Sequence, residues 1–446
     1  MFGTSGVRGP VGETVTADLA LDVGRALVTD GAETVVVGRD ARASGRMLSR
    51  ALTAGITECG GDVTDVGVQS TPTVARTVSR EDADAGVVVT ASHNPPSDNG
   101  IKLWTASGRA FDDERNDRIA QIVREGEFAA ASHDAIGTVS RINDGRDGES
   151  PRAEHERALH AAVSLPDDLS VIVDVGNGVG RVTADALHAA GCTVETLNGQ
   201  RDGRFPGRPS EPTAEHCETA CKLVGATDAD LGLVHDGDAD RLMAIDEHGQ
   251  FVSGDALLAL FARREAEAGD RVAVPVDTSL LVADAVGDVG AEVIYTPVGD
   301  AYVAAATEEP DVVFGGEPSG AWIFPEHTQC PDGPLAAFVL AALVVQEGSL
   351  AALVDELPTY PIRRESVRTD SKSTVVEAVA EIAAAEFDDI STRDGIRVET
   401  DAGWFLVRAS GTEPLVRVTA EAREEADTEA LFETAYELVE RAANRV

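Results

Sequence analysis

Asp236, Asp238 and Asp240 alternate along "HDGDADR", directly after the apolar run "LGLV". Three carboxylates that close repel one another unless a cation neutralises them, and hard oxygen donors suit Mg²⁺ or Ca²⁺. The spacing also matches positions 1, 3 and 5 of a calcium-sensor loop, with Glu247 at position 12, but Arg241 stands where the sixth position requires glycine. The choice is between an acidic surface turn and a divalent metal site, and Arg241 beside a metal points towards phosphate chemistry. In "RASGTEPLVRV", Arg408, Ser410, Gly411 and Thr412 put a guanidinium, two hydroxyls and a run of backbone N–H groups on one turn, with Arg417 a few residues on. That set can cradle an oxyanion, or simply close a turn at Pro414. "GGEPSGAW" offers Glu317 and Ser319, a carboxylate and a hydroxyl that suit a sugar's vicinal hydroxyls, though a plain turn also fits. Arg8 is the best-placed functional residue of the glycine-rich "FGTSGVRG".

A fourth loop is the most distinctive. "VVVTASHNPPSDNGIKL", from Val87, leaves a buried-looking strand on Ser92, His93 and Asn94, and Pro95 and Pro96 stiffen the rest of the loop. A serine hydrolase needs an oriented histidine facing the serine, whereas His93 is its chain neighbour and on an extended backbone points the other way. No G-x-S-x-G elbow surrounds Ser92. If Ser92 carries a phosphoryl group, its oxygens complete the coordination of a metal held by the aspartates. Lys102 then becomes a candidate for handling the proton of an attacking hydroxyl.

Three pairs of β-branched runs must position these loops: "TVVVGRDAR" with "AGVVVTASHNP", "VIVDVGNGVGR" with "DLGLVHDGDADR", and "RVAVPVDTS" with "DVVFGGEPSG". Helical patterns lie between the runs, as in βα units. The pattern predicts three similar α/β domains, each presenting a loop at a strand's C-terminal end. Polar and proline-containing breaks place them at 1–145, 152–247 and 250–357, followed by a C-terminal α+β domain at 362–446. Four such loops imply a shared site.

The chain has 78 acidic and 37 basic residues, a formal net charge of −41, and its only lysines are Lys102, Lys222 and Lys372. Such an excess repels nucleic acid and acidic membranes; spread along the chain, it reads as a surface adapted to high salt. No signal-peptide pattern opens the chain, and "PLAAFVLAALVV" is far short of the ~20 residues that span a bilayer. A soluble, cytoplasmic protein is expected. Five scattered cysteines argue for reduced thiols, and Cys217 and Cys221 beside His216 read as core packing rather than a zinc site.

"TASHNP", "DGDADR", "GEPSG" and "RASGTEP", in that order, resemble the four signature loops of the α-D-phosphohexomutases, and the likeness runs from "FGTSGVRG" to the end. The resemblance implies three α/β domains with mixed sheets between helices plus a C-terminal α+β domain, around a central cleft. It implies a phosphoserine at Ser92, and one Mg²⁺ per subunit on Asp236, Asp238, Asp240 and a phosphoserine oxygen. Glu317 and Ser319 would hold sugar hydroxyls, while Arg408, Ser410, Gly411, Thr412 and Arg417 grip the non-reacting phosphate. Arg8 and Lys102 would assist proton transfer, with Arg241 beside the metal and His93 supporting the loop or touching phosphate. The implied reaction interconverts a hexose 6-phosphate and 1-phosphate through a bisphosphorylated sugar, which also serves as activator, in a monomer or homodimer. "FGTSGVRG", "VGDAYV" and "SGTEP" are most like the phosphoglucosamine mutase branch of archaeal, halophilic type. Ala301 stands where that branch often has arginine and Ala321 where many members have histidine, which leaves phosphomannomutase/phosphoglucomutase and phosphopentomutase activity as alternatives.

Overall fold

The computed structural model describes residues 6–142, 150–166, 168–369, 371–410 and 414–445. Each pair of apolar runs becomes two neighbouring parallel strands: Thr34–Arg39 with Ala85–Val89, Ser170–Asp174 with Leu231–His235, and Arg271–Pro275 with Val312–Glu317. The second strand of each pair then reverses into an antiparallel neighbour, Asp98–Thr105, Leu242–Ile245 or Ala321–Ile323. The Ser92, aspartate and Glu317 segments thus belong to one structural element used three times. It is the reversal at the end of a parallel strand, where side chains leave the sheet beyond its carboxyl edge. Ala85–Val89 and Leu231–His235 are buried at every position, as strands covered by helices on both faces must be.

Around these pairs the first sheet runs Val7–Pro10, Asp98–Thr105, Ala85–Val89, Thr34–Arg39, Asp62–Val68, Val139–Arg141. The second and third sheets have four strands each, and all three are mixed. The fourth is antiparallel throughout, ordered Ile362–Arg368, Leu415–Ala422, Gly403–Ala409, Ile396–Glu399, Ile390–Ser391. It packs on the helices Lys372–Glu386 and Glu425–Ala443. This is the three-plus-one architecture that the strand pattern predicts.

The second and third sheets share one apolar core, bridged by the helix Gly333–Glu347, which is buried from Gly333 to Val344. That helix contains the long apolar run; a helix apolar all round belongs inside a core when it is too short to span a bilayer. Among the described residues no helix is long and apolar enough to cross a membrane. Asp332 caps the same helix at Leu335 N (3.0 Å) and also accepts from Arg76 Nε (2.8 Å) and His155 Nε2 (3.2 Å), tying all three α/β units together.

The fourth unit meets the third through a smaller cluster, Val276, Leu280, Trp404 and Leu406. Glu421 accepts there from Ser279 Oγ (2.5 Å), Leu280 N (2.8 Å) and Trp404 Nε1 (2.9 Å). Buried Arg397 lies over both Tyr295 and Trp404. The five cysteines are free thiols; Cys217 packs in the shared core, and His216 Nδ1 donates to Glu211 O at 2.8 Å, so that cluster is structural.

Candidate active site

Ser92 sits at φ +48°, a left-handed conformation a serine adopts only under constraint. The constraint is a buried network. Ser92 N donates to Thr90 Oγ1 (2.9 Å), whose hydroxyl donates to Asp40 Oδ2 (2.8 Å). Asp40 pairs with Arg42 Nε at 3.0 Å. Arg42 directs its remaining donors to the carbonyls of Ser92 (2.8 Å), Asn94 (2.7 Å), Pro95 (2.5 Å) and Asp98 (3.0 Å). A tight loop turns several carbonyls inward, each needing a partner, and one guanidinium fork supplies them all. Burial pushes the Asp40 carboxyl up to about 6, against the pull of Arg42.

This kink corrects one expectation drawn from the sequence. Because Ser92 is left-handed rather than extended, its Oγ lies 3.4 Å from His93 Nδ1 instead of pointing away from the ring. Burial, then the charges of Arg241 and Arg8, push His93 down to about 2, so its ring is neutral.

Ser92 is buried, and its hydroxyl donates to Asp236 Oδ2 at 2.5 Å, with Asp240 Oδ1 at 3.4 Å. Asp236, Asp238 and Asp240 are all buried, and a ligand oxygen from each lies within 4.8 Å of the others. Ala239 at φ +58° makes the kink between the second and third aspartates. Asp238 Oδ2 accepts from Thr71 Oγ1 at 2.6 Å, while its Oδ1 is buried without a hydrogen-bond partner. An orphaned carboxylate oxygen inside a three-carboxylate cluster fits a hard divalent cation. Burial and the neighbouring Asp238 and Asp240 push Asp236 well above the usual carboxylate range. Burial acts the same way on Asp240, but Lys102 and Arg241 outweigh it and hold Asp240 low.

Lys102 Nζ is 2.5 Å from Asp240 Oδ2 and 3.8 Å from Asp300. Burial opposes its charge, yet Asp240 holds the ammonium above its ordinary value. Arg8 lies on the strand beside Gly100, and its buried Nε has no hydrogen-bond partner. Arg241 bridges to Ala321, and Leu242 N donates to Gly320 O at 2.9 Å, so the metal loop and the Glu317 loop are in contact.

Residues 298–300 join the remaining parts. Val298 N donates to Asp394 Oδ2 (3.0 Å), Gly299 N to Glu317 Oε1 (2.7 Å), and the Asp300 carboxylate faces Lys102. Asp394 in turn pairs with Arg408 Nε at 2.9 Å. Glu317 also accepts from Ser319 Oγ at 3.2 Å; burial, then Asp300, pushes it up to about 7. Arg408 and Arg417 are cross-strand partners, and Ser410 N donates to Leu415 O at 2.9 Å. Gly411 and Thr412 lie outside the described residues.

Two groups escape a reading of residue types alone: the Asp40–Arg42 anchor, and its counterpart Asp174–Arg208 (2.8 Å), whose Nη2 holds His235 O at 2.5 Å just ahead of Asp236. The signal was present as a repeat. "VGRD", "VIVD" and "VPVD" place Asp40, Asp174 and Asp277 at or just beyond the end of the first strand of each pair. Burial raises Asp277, and the arginines acting on it, Arg408 and Arg364, belong to the fourth unit.

Three α/β units of one plan around a buried serine–carboxylate centre, with an antiparallel fourth joined to the third, define the phosphohexomutase architecture. The chain belongs to the phosphoglucomutase/phosphomannomutase family: its domain I model matches residues 1–130, domain II 153–249, domain III 253–360 and the C-terminal domain 366–438. A Methanopyrus kandleri protein named "Probable phosphoglucosamine mutase" is 45% identical, covering 100% of this chain and 99% of that protein. A Methanococcoides burtonii protein of the same name is 44% identical over 100% of both. Among solved structures, a phosphoglucomutase/phosphomannomutase family protein from Burkholderia thailandensis superposes with TM-score 0.88 at 27% identity, covering 99% of this chain and 97% of that one.

Proposed function

We propose that the chain is a phosphosugar mutase that interconverts glucosamine 6-phosphate and glucosamine 1-phosphate by way of a phosphoserine at Ser92 and a bisphosphorylated sugar. The observation that carries the reading is the 2.5 Å contact of Ser92 Oγ with Asp236 inside a buried cluster of three carboxylates. A hydrolase serine directs its hydroxyl at a histidine base, whereas Ser92 donates to Asp236 at 2.5 Å and His93 Nδ1 stands off at 3.4 Å. The full-length likeness to chains named as phosphoglucosamine mutases supports the substrate.

One Mg²⁺ per subunit, held by Asp236, Asp238, Asp240 and a phosphoserine oxygen, would neutralise charge on the transferring group. In the first half-reaction the P–Oγ bond of Ser92 breaks as a sugar hydroxyl oxygen bonds to phosphorus, giving the bisphosphate. That intermediate turns over, and its other phosphoryl group returns to Ser92. Arg8 and Arg241 balance charge on either side, and His93 supports the loop or contacts phosphate. Lys102 starts as an ammonium, so it takes up the hydroxyl proton only after one of its own protons has passed to a neighbouring carboxylate or to solvent. Glu317 and Ser319 hold sugar hydroxyls, and Arg408, Ser410, Gly411, Thr412 and Arg417 grip the phosphate that does not react. A sugar bisphosphate primes Ser92. We infer a cytoplasmic, high-salt setting and a monomer or homodimer.

The test compares kcat/KM for the 6-phosphates of glucosamine, mannose and glucose and for a pentose phosphate, in molar salt. Glucosamine phosphate should lead. A preference of about tenfold or more for mannose phosphate would overturn the substrate assignment.

A further inference from the structure

Arg39, Arg46, Arg50, Arg141 and Arg201 line a single pocket of about 410 Å³, in a chain whose formal net charge is −41. Many arginines elsewhere on this surface find carboxylates: Arg271 pairs with Glu309 and Asp311, Arg363 with Glu365 and Glu429. Here Asp65 is the only acid among the lining residues. It is already engaged, accepting from Gly67 N at 3.0 Å and pairing with Arg141 Nε at 3.2 Å. Among the described residues, no hydrogen bond or ion pair engages the guanidiniums of Arg39, Arg46, Arg50 or Arg201. Crowded like charges destabilise one another unless an anion meets them. Burial lowers the Arg39 guanidinium below its ordinary value; Asp65 and Asp40 oppose that shift, and Arg46 and Arg201 add to it more weakly.

The pocket lies at the carboxyl ends of the parallel strands Thr34–Arg39, Asp62–Val68 and Val139–Arg141, walled by the first turns of the helix Gly45–Glu58. Arg201 reaches in from the second α/β unit. None of the residues assigned above to catalysis, metal or substrate lines it. No aromatic ring lines it either, so nothing there would stack on a nucleobase. Four guanidiniums without an ion-pair partner can meet an anion of several negative charges, and their planar forks suit phosphate oxygens.

We infer a second ligand site, distinct from the serine–carboxylate centre, for a small non-aromatic metabolite carrying two phosphate groups, either a sugar bisphosphate or pyrophosphate. Calorimetric titration of the full chain, with saturating phosphosugar occupying the active site, tests this using pyrophosphate, glucose 1,6-bisphosphate and ADP as probes. One pyrophosphate or bisphosphate per chain should bind, more weakly as KCl rises, with ADP no tighter than pyrophosphate. Which of the two binds tighter distinguishes the two sources. Arg46→Ala with Arg201→Ala, both at exposed positions, should weaken binding about tenfold or more and leave turnover without added anion unchanged. Equal affinity in the double variant, or no binding by the unmodified chain, overturns the inference. Arg50→Glu gives an independent check: if it alters self-association and leaves anion affinity intact, the pocket faces another protein and the inference fails.

Discussion

The first and second α/β units meet at a cluster of buried carboxylates, and the third and fourth at an apolar cluster tied by one buried carboxylate and one buried guanidinium. On one side stand Ser92 on Asp236, Thr71 on Asp238 and Lys102 on Asp240, backed by the Arg76–His155–Asp332 knot. On the other stand Val276, Leu280, Trp404 and Leu406, with Glu421 and Arg397 completing the joint. Buried polar networks are unforgiving of displacement, since every member left without its partner bears a desolvation penalty. At the joint to the fourth unit the Glu421 and Arg397 bonds sit beside apolar contacts, which fix angles less strictly than hydrogen bonds do. The contrast matches what each half must do in the proposed reaction. Phosphoryl transfer needs reacting atoms fixed to a fraction of an ångström, whereas the phosphate-gripping arginines must take the sugar in two orientations.

The sharpest way to break this contrast is Arg42→Lys. An ammonium cannot span four carbonyls and Asp40 together, so the Ser92 loop should lose its geometry. The expected result is a loss of about 3–5 kcal/mol in stability and a kcat about a hundredfold lower, with KM little changed. A rise in KM alone, with kcat intact, would mean that Arg42 does not position Ser92. In the fourth unit the expectation reverses. Arg408→Ala or Arg417→Ala should raise KM about tenfold or more, the value of a charge-assisted hydrogen bond, while kcat falls less.

Smaller effects refine the comparison at the joint. Glu421→Gln turns an amide donor towards Ser279, Leu280 or Trp404, and should cost about 1–3 kcal/mol. Limited proteolysis near Leu357–Tyr360 should quicken, with the Ser92 centre undisturbed. The mildest effect is a pH signature at Glu317, whose carboxyl rises from its ordinary 4.5 to about 7 on burial. A raised folded-state value means that this group's contribution is fully present below about pH 4.5 and is lost as pH climbs through about 7. Glu317→Gln removes that titration, so thermal melts of the variant and the unmodified chain should diverge in the variant's favour across that window. Melts that stay parallel would show that Glu317 is not held near neutrality.

Much of the fold could be read from residue order because the parallel strands are buried on both faces, and such strands announce themselves as unbroken β-branched runs. The loops at their ends stand out for the opposite reason, as abrupt polar clusters between glycines and prolines. The features that escaped detection depend on tertiary geometry. Arg42 and Arg208 resemble any loop arginine until the carbonyls they hold are known, and the aspartates at or just beyond the end of each first strand carry meaning only as a threefold pattern. The His93 orientation inferred from chain adjacency assumed an extended backbone, and the left-handed Ser92 changed it. Residues 298–300 stood out only as a likeness to one branch of the family, and their contacts to three different domains follow from folding rather than from residue type.

Everything proposed for the reaction depends on Ser92 carrying and exchanging a phosphoryl group. Peptide-level mass spectrometry on the full chain, after incubation with a sugar bisphosphate and again after adding glucosamine 6-phosphate, puts this to the test. The expected outcome is one phosphoryl group on the peptide containing Ser92, absent from Ser92→Ala, and its transfer to sugar with little inorganic phosphate released. No phosphoryl on Ser92, or discharge of that group mainly to water, would contradict the assignment.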